Sequence, residues 1–69
     1  MKTLRVTLGD DKNPNYKETV EIEVSTGVYY SLKEFDENYD ESWDIVCDII
    51  GSTVRELPYN WFIDGIKYC

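Results

Sequence analysis

The sequence contains no histidine, and this absence bears first on catalysis. Histidine is the commonest general acid–base residue, so a nucleophile in this chain has no histidine partner to activate it. Cys47 falls on the apolar side of a predicted helix, where a thiol is expected to be buried and inert. The sequence also has no Walker loop and no dinucleotide-binding fingerprint. We therefore predict that the protein is not an enzyme and uses no cofactor.

Basic residues are scarce as well. Lysine and arginine together number 7 against 14 aspartates and glutamates, which gives a net charge of -7 over 69 residues. This surplus of negative charge repels phosphates, so the composition argues against direct binding to DNA, RNA or an anionic membrane surface. The expected partner is instead a protein with a basic surface.

Long hydrophobic runs and cysteines are also few. No stretch approaches the ~20 apolar residues that a membrane-spanning helix needs, and the N-terminus lacks the apolar run of a signal peptide. Cys47 and Cys69 are the only 2 cysteines, too few for the disulfide framework of a secreted miniprotein. The sequence predicts free thiols and a cytoplasmic location, in the host cytoplasm for a viral protein.

Alternating apolar and polar residues predict two strands in the first part of the chain. Residues 3–8 and 19–25 follow a period of two, so they are expected to pair as an antiparallel hairpin with one buried face. The segment between them, from Gly9 to Tyr16, is rich in turn-forming residues and predicts a long loop. A turn at residues 25–27, followed by the β-branched and aromatic residues 28–30, predicts a short third strand.

Helical spacing replaces this alternation in the middle of the chain. Apolar residues between Tyr39 and Val54 recur at intervals of three and four, which predicts one helix, either continuous or broken near Asp40. Asp64-Gly65 separates two short apolar segments and predicts a tight terminal hairpin. The patterns together predict a single α+β domain over residues 1–69, a small antiparallel β-sheet with one main α-helix packed on it, in the order β-β-(β)-α-β(-β).

Negative charge is concentrated on the predicted helix. Residues 31–50 hold seven acidic residues and one lysine, and so carry -6 of the net charge of -7. Like charges four residues apart on a helix repel by a few tenths of a kcal/mol per pair, so a helix selected for stability alone is expected to alternate signs. Helical spacing places five of the carboxylates on the side opposite the apolar stripe. They are Glu37, Asp40, Glu41, Asp44 and Asp48.

The spacing of these carboxylates is related to that of nucleic-acid phosphates. Residues four apart on a helix are separated by about 6 Å along its axis, and a DNA strand places a phosphate about every 3.4 Å. We therefore predict a protein-binding inhibitor or adaptor that mimics nucleic acid in the basic cleft of a DNA- or RNA-binding protein. In size and charge the chain resembles the small phage-encoded inhibitors of restriction, CRISPR or host polymerase systems. The alternative is an acidic helix face that only keeps a small protein in solution.

Two aromatic pairs are the second candidate binding feature. Neighbouring residues on a strand point to opposite faces, so Tyr29-Tyr30 and Trp61-Phe62 are each expected to expose one ring. Tyrosine and tryptophan are enriched at interface hot spots, which makes Tyr29 and Trp61 candidate partner-binding residues. The same features support an alternative function, a small structural subunit or homo-oligomer, a homodimer among the possibilities, that buries its exposed aromatics and sheet edges.

Residues 36–40, with the sequence Asp-Glu-Asn-Tyr-Asp, match the opening of a calcium-binding loop. Such a loop needs glycine at its sixth position and glutamate at its twelfth, but Glu41 and Cys47 stand there. We therefore predict no metal site. The alternative is a degenerate cation site, in which Asp44 or Asp48 supplies additional ligands.

Overall fold

Three strands and two helices make up the computed structural model, which describes residues 1–69. The strands form one antiparallel sheet in the order β2-β1-β3. Neither helix combines the length and the apolar composition of a membrane span. The predicted α+β class and antiparallel sheet are confirmed. In chain order the elements are β1 (Lys2–Asp10), β2 (Asn13–Val24), α1 (Thr26–Glu34), α2 (Tyr39–Thr53) and β3 (Trp61–Tyr68).

The core lies between the central strand and the two helices. Leu4, Val6 and Leu8 of β1 are fully buried, in agreement with the buried face predicted from their alternation. Antiparallel pairing sets Ile22 opposite Leu4 and Val20 opposite Val6, so β2 adds its apolar side chains to the same face. Full burial of such a side chain contributes about 1.5–3 kcal/mol. The buried cluster consists of Leu4, Val6, Leu8, Ile22, Val24, Tyr29, Leu32, Val46 and Ile50.

The connection between β1 and β2 is a tight turn, so the predicted long loop from Gly9 to Tyr16 is wrong. β1 continues to Asp10, and β2 begins at Asn13 after a register shift at the end of β1. The Asp10 carboxylate accepts a hydrogen bond from the backbone N–H of Lys12 at 2.9 Å. Aspartate and asparagine favour such local bonds, so the residues that predicted a loop close a turn and let the hairpin extend.

Residues 28–30 lie in α1, so the predicted third strand is wrong. The Ser25 hydroxyl accepts a hydrogen bond from the backbone N–H of Val28 at 3.3 Å and thereby caps the helix. The polar residues that predicted a turn therefore begin a helix. Tyr29 and Leu32, three residues apart, fall on one face of α1, and both are buried.

Two helices, rather than one, follow β2. α1 ends at Glu34, and the residue that follows, Phe35, has a left-handed φ of 53° and ψ of 47°, a common way to end a helix. α2 begins at Tyr39, after a linker of residues 35–38. The break falls just before Asp40, the residue near which the sequence allowed an interruption. With 15 residues against 9, α2 is the main helix.

β3 is one continuous strand, so the predicted terminal hairpin is wrong. Thr7 pairs with Gly65 and Leu8 pairs with Ile63, which leaves Asp64 as an extra residue in β3. This extra residue is a β-bulge. Without it, the two halves of β3 would turn their apolar side chains to opposite faces of the sheet. The Asp-Gly sequence therefore marks a bulge, and both halves of β3 pack against the core.

Candidate functional site

One face of α2 carries four exposed carboxylates, which we call the acidic ridge: Asp40, Glu41, Asp44 and Asp48. The opposite face of the helix buries Ser42, Val46 and Ile50. At 1.5 Å per residue, the ridge extends about 12 Å along the helix axis. The structure therefore brings together four of the five predicted acidic residues on one exposed surface, and their role in binding stays a prediction.

Glu37 is the predicted acidic residue that lies elsewhere. It belongs to the linker before α2, because the chain leaves α1 at Phe35 and enters the next helix only at Tyr39. The prediction that Glu37 continues the helical row is therefore wrong. Its side chain is exposed, next to the N-terminal end of the acidic ridge.

The negative charge of the acidic ridge is not neutralised within the chain. The two ion pairs join Arg5 to Glu21 at 3.2 Å and Lys17 to Asp64 at 3.7 Å, both outside α2. The ammonium group of Lys33, on α1, lies 5.6 Å from the ring centre of Tyr29. The ridge carboxylates are thus free to pair with basic groups of another molecule.

The Cys47 thiol lies beside the ridge and shows its electrostatic effect. Burial, followed by the charges of Asp44 and Asp48, raises the pKa of this thiol. A raised pKa keeps the sulfur protonated and weakly nucleophilic at neutral pH. Cys47 and Cys69 are both free thiols, as the sequence predicted.

Asp36 organises the linker between the helices. Its Oδ2 accepts a hydrogen bond from the Ser31 hydroxyl at 3.0 Å, and its Oδ1 accepts one from the backbone N–H of Asn38 at 2.8 Å. Its backbone carbonyl accepts from the N–H of Tyr39 at 3.1 Å. The motif that resembled a calcium loop thus joins two helices. No group of three acidic or cysteine side chains is arranged to hold a metal ion.

Three aromatic rings are stacked from the linker into α2, and we call them the aromatic stack: Phe35, Tyr39 and Trp43. Tyr39 and Trp43 are half-buried against the core, on the side of α2 away from the acidic ridge. The rings of Phe35 and Tyr39 are stacked with centroids 4.9 Å apart and an interplanar angle of 18°. Those of Tyr39 and Trp43 are 6.0 Å apart at 27°. Phe35 is 74% exposed. Sequence reasoning missed this set, because the chain is not one continuous helix between Phe35 and Tyr39.

The two aromatic residues predicted to contact a partner, Tyr29 and Trp61, lie outside the aromatic stack. Tyr29 is only 4% exposed, and its hydroxyl donates to the backbone carbonyl of Cys69 at 3.2 Å, so its prediction as a partner contact is wrong. Its neighbour Tyr30 is 40% exposed. Trp61 is half-buried against the core, whereas Phe62 is 42% exposed. Each pair therefore exposes one ring, as predicted, although Tyr29 and Tyr30 lie in a helix and not on a strand.

No protein family, curated protein or solved structure matches the chain. No pocket is found on the molecular surface. The candidate site consists of the acidic ridge on the exposed face of α2, together with the exposed ring of Phe35 in the linker before that helix.

Proposed function

We propose that the protein is a non-catalytic inhibitor or adaptor that binds a basic, nucleic-acid-binding protein through the acidic ridge. The observation that carries this proposal is the row of exposed and unpaired carboxylates on one face of α2. Unpaired charges of one sign attract an oppositely charged surface over several ångströms and accelerate its encounter. The binding is expected to weaken as salt screens these charges.

The geometry of the ridge supports nucleic-acid mimicry as the mode of binding. Asp40, Asp44 and Asp48 are separated by about 6 Å per step along the helix. A DNA strand presents a phosphate about every 3.4 Å, so the ridge replaces roughly every second phosphate of one strand. A helix is convex, and its acidic face fits into a cleft lined with lysine and arginine.

The proposed setting is the cytoplasm, or the host cytoplasm for a protein encoded by a virus. A small acidic chain with this surface suits the role of a phage inhibitor, which acts by occupying the nucleic-acid site of a host enzyme. Such an inhibitor acts stoichiometrically, so its affinity rather than a turnover rate sets its effect.

Affinity capture tests the proposal. The immobilised protein is exposed to the native host's lysate at low and at high salt, and retained proteins are identified by mass spectrometry. We expect a basic nucleic-acid-binding protein that is released by salt and by added DNA. A retained partner that resists both salt and DNA contradicts the proposal.

A second candidate function is a homodimer formed through β2. This strand lies at the edge of the sheet, and its outer side leaves backbone groups of a 12-residue segment unpaired. Antiparallel pairing of two copies about Thr19 sets Lys17 opposite Glu21 of the second copy, which is a favourable charge pair. Light scattering distinguishes the two candidates: a tight dimer that persists at high salt supports this one, and a monomer rejects it.

A further inference from the structure

We propose that the exposed face of Phe35 in the aromatic stack binds an arginine side chain of the partner protein. This inference rests on the proposed function and deepens it, because it distinguishes arginine from lysine among the basic groups of the partner. It makes the candidate site a combined surface, in which the acidic ridge provides charge attraction and the aromatic stack provides chemical selectivity.

The geometry of Phe35 leaves one face of its ring open. The other face is stacked on Tyr39 at 4.9 Å, yet the residue remains 74% exposed. A guanidinium group is planar and weakly hydrated, so it stacks on an aromatic face more favourably than the compact, strongly hydrated ammonium group of lysine. The open face therefore suits arginine.

Two exposed carboxylates close to Phe35 in the sequence are available to complete the recognition of a guanidinium group. Glu37 lies in the same linker as Phe35, and Asp40 follows Tyr39 on α2; both are exposed and outside the ion pairs of the chain. A carboxylate accepts the paired N–H donors of arginine in a bidentate arrangement. Asp36 is not needed for this contact, since both of its carboxylate oxygens already accept hydrogen bonds within the linker.

Phe35 occupies a backbone position that is unfavourable for a residue with a side chain. It has a left-handed backbone with a φ of 53°, the only non-glycine residue with a positive φ. Glycine is the usual residue at such a helix end, because it has no side chain to clash. A mostly exposed ring also gives little burial in return. One face of the ring stacks on Tyr39, and the proposed arginine contact uses the other.

Charge complementarity selects the occupant of this surface. A second copy of the chain would bring another acidic ridge against the first, and nucleic acid would bring phosphates, so both are repelled. A basic protein segment is attracted. The segment that fits both the ring and the carboxylates is one that presents arginine.

Two peptides of equal charge test the inference, one of nine arginines and one of nine lysines. The dissociation constant of each is measured by calorimetry at low salt with the wild-type protein and with Phe35→Ala. A cation–π contact at an exposed site contributes about 0.5–1 kcal/mol, which corresponds to a loss of roughly 2- to 5-fold in arginine-peptide affinity for Phe35→Ala. Lysine-peptide affinity is expected to change much less, so the preference for arginine decreases.

Two further variants control the experiment. Phe35→Leu keeps an apolar side chain without an aromatic face and is expected to behave like Phe35→Ala. Tyr59→Ala removes a ring that is 98% exposed on the segment after α2, and is expected to leave the preference unchanged. Far-UV circular dichroism of every variant confirms that the fold is retained.

The outcomes separate this inference from the proposed function. An equal preference for arginine in the wild type and both Phe35 variants overturns the inference. The proposed function stands in that case if neutralising the acidic ridge weakens binding of both peptides. Failure of the wild-type protein to bind either peptide overturns both.

Discussion

The ring of Phe35 stacks on the ring of Tyr39 with centroids 4.9 Å apart, although Phe35 directly follows α1 and Tyr39 begins α2. This contact bridges the linker between the two helices. It also joins the end of α1 to the start of α2, the helix that carries the acidic ridge. The candidate site thus depends on how the chain turns between the helices, as well as on the charges of α2.

Because the backbone of Phe35 is left-handed, a glycine variant at this position is expected to be more stable than an alanine variant, the reverse of the usual order in a helix. Both Phe35→Gly and Phe35→Ala remove the ring, but only glycine adopts a positive φ without strain. We expect Phe35→Gly to have a free energy of unfolding about 1 kcal/mol higher than Phe35→Ala. Urea denaturation of the two variants measures this difference.

Ser52, exposed within α2, provides the control for the Phe35 pair. At an ordinary helical position alanine is more stable than glycine, by roughly 0.5–1 kcal/mol. We expect Ser52→Ala to be more stable than Ser52→Gly. The same order of alanine over glycine at residue 35 would show that Phe35 is not left-handed in solution.

Asp44 lies four residues from both Asp40 and Asp48, so it repels both. Asp44→Lys replaces two repulsions by two attractions, each of a few tenths of a kcal/mol. We expect the free energy of unfolding to rise by about 1 kcal/mol at low salt and by less at high salt, where the charges are screened. An unchanged or lower stability at low salt contradicts the view that the ridge is kept at a cost to the fold.

The fall in the free energy of unfolding at alkaline pH tests the environment of Cys47. Burial, then Asp44 and Asp48, raise the pKa of this thiol above its ordinary value of 9.0, so the unfolded chain loses the proton first. The folded state then holds more protons, and stability falls as pH rises from the unfolded pKa through the folded pKa. Below the unfolded pKa, Cys47 has no effect on the pH dependence.

Cys47→Ser removes this titration and is expected to make the decline near pH 9 shallower. Chemical denaturation over a pH series gives the slope. A decline remains at higher pH, because hydrogen bonding to Glu18 raises the pKa of Tyr16 and burial raises that of Tyr68 above 10.0. Identical slopes for the wild type and Cys47→Ser would rule out a shifted thiol.

Gly9 and Phe62 form a pair across β1 and β3, in which the ring lies over the glycine backbone. A Cβ added to Gly9 would lie 2.7 Å from the Phe62 ring. We expect Gly9→Ala to cost about 1 kcal/mol, because the ring must move away from its present contact. In the Phe62→Ala background this cost should disappear, which a double-mutant cycle measures.

Gly65 provides the matched control on the same sheet, since a Cβ there meets nothing within 4 Å. Gly65→Ala is therefore expected to cost less than Gly9→Ala. Equal costs at the two glycines, or an unchanged cost of Gly9→Ala without the Phe62 ring, would mean that the ring does not occupy this place.

The parts of β1 and β2 that face the core were predictable because their patterns are strictly periodic. The alternation of Leu4, Val6 and Leu8 describes a half-buried strand, and the structure buries all three. α1 was not predictable from composition, since residues 28–30 favour a strand. The Ser25 cap and the burial of Tyr29 beside Leu32 outweigh that preference.

The candidate site was predictable in its charges and not in its aromatics. Asp40, Asp44 and Asp48 needed only the correct helical period, which α2 keeps. The stack of Phe35 on Tyr39 depends on a left-handed residue between two helices, and no periodicity signals such a residue. The β3 bulge at Asp64 was missed for a related reason, since Asp-Gly occurs in hairpins and bulges alike.

The central claim, that the acidic ridge is the docking surface, is tested most directly by comparing two variants of equal charge in affinity capture. One changes the ridge to amides: Asp40→Asn, Glu41→Gln, Asp44→Asn and Asp48→Asn. The other changes four exposed acids elsewhere: Asp11→Asn, Glu18→Gln, Glu23→Gln and Glu56→Gln. We predict that the ridge variant loses the salt-sensitive partner and that the control variant retains it. Equal retention by both variants, or equal loss, would contradict the claim, because either result would assign binding to total charge or to another surface.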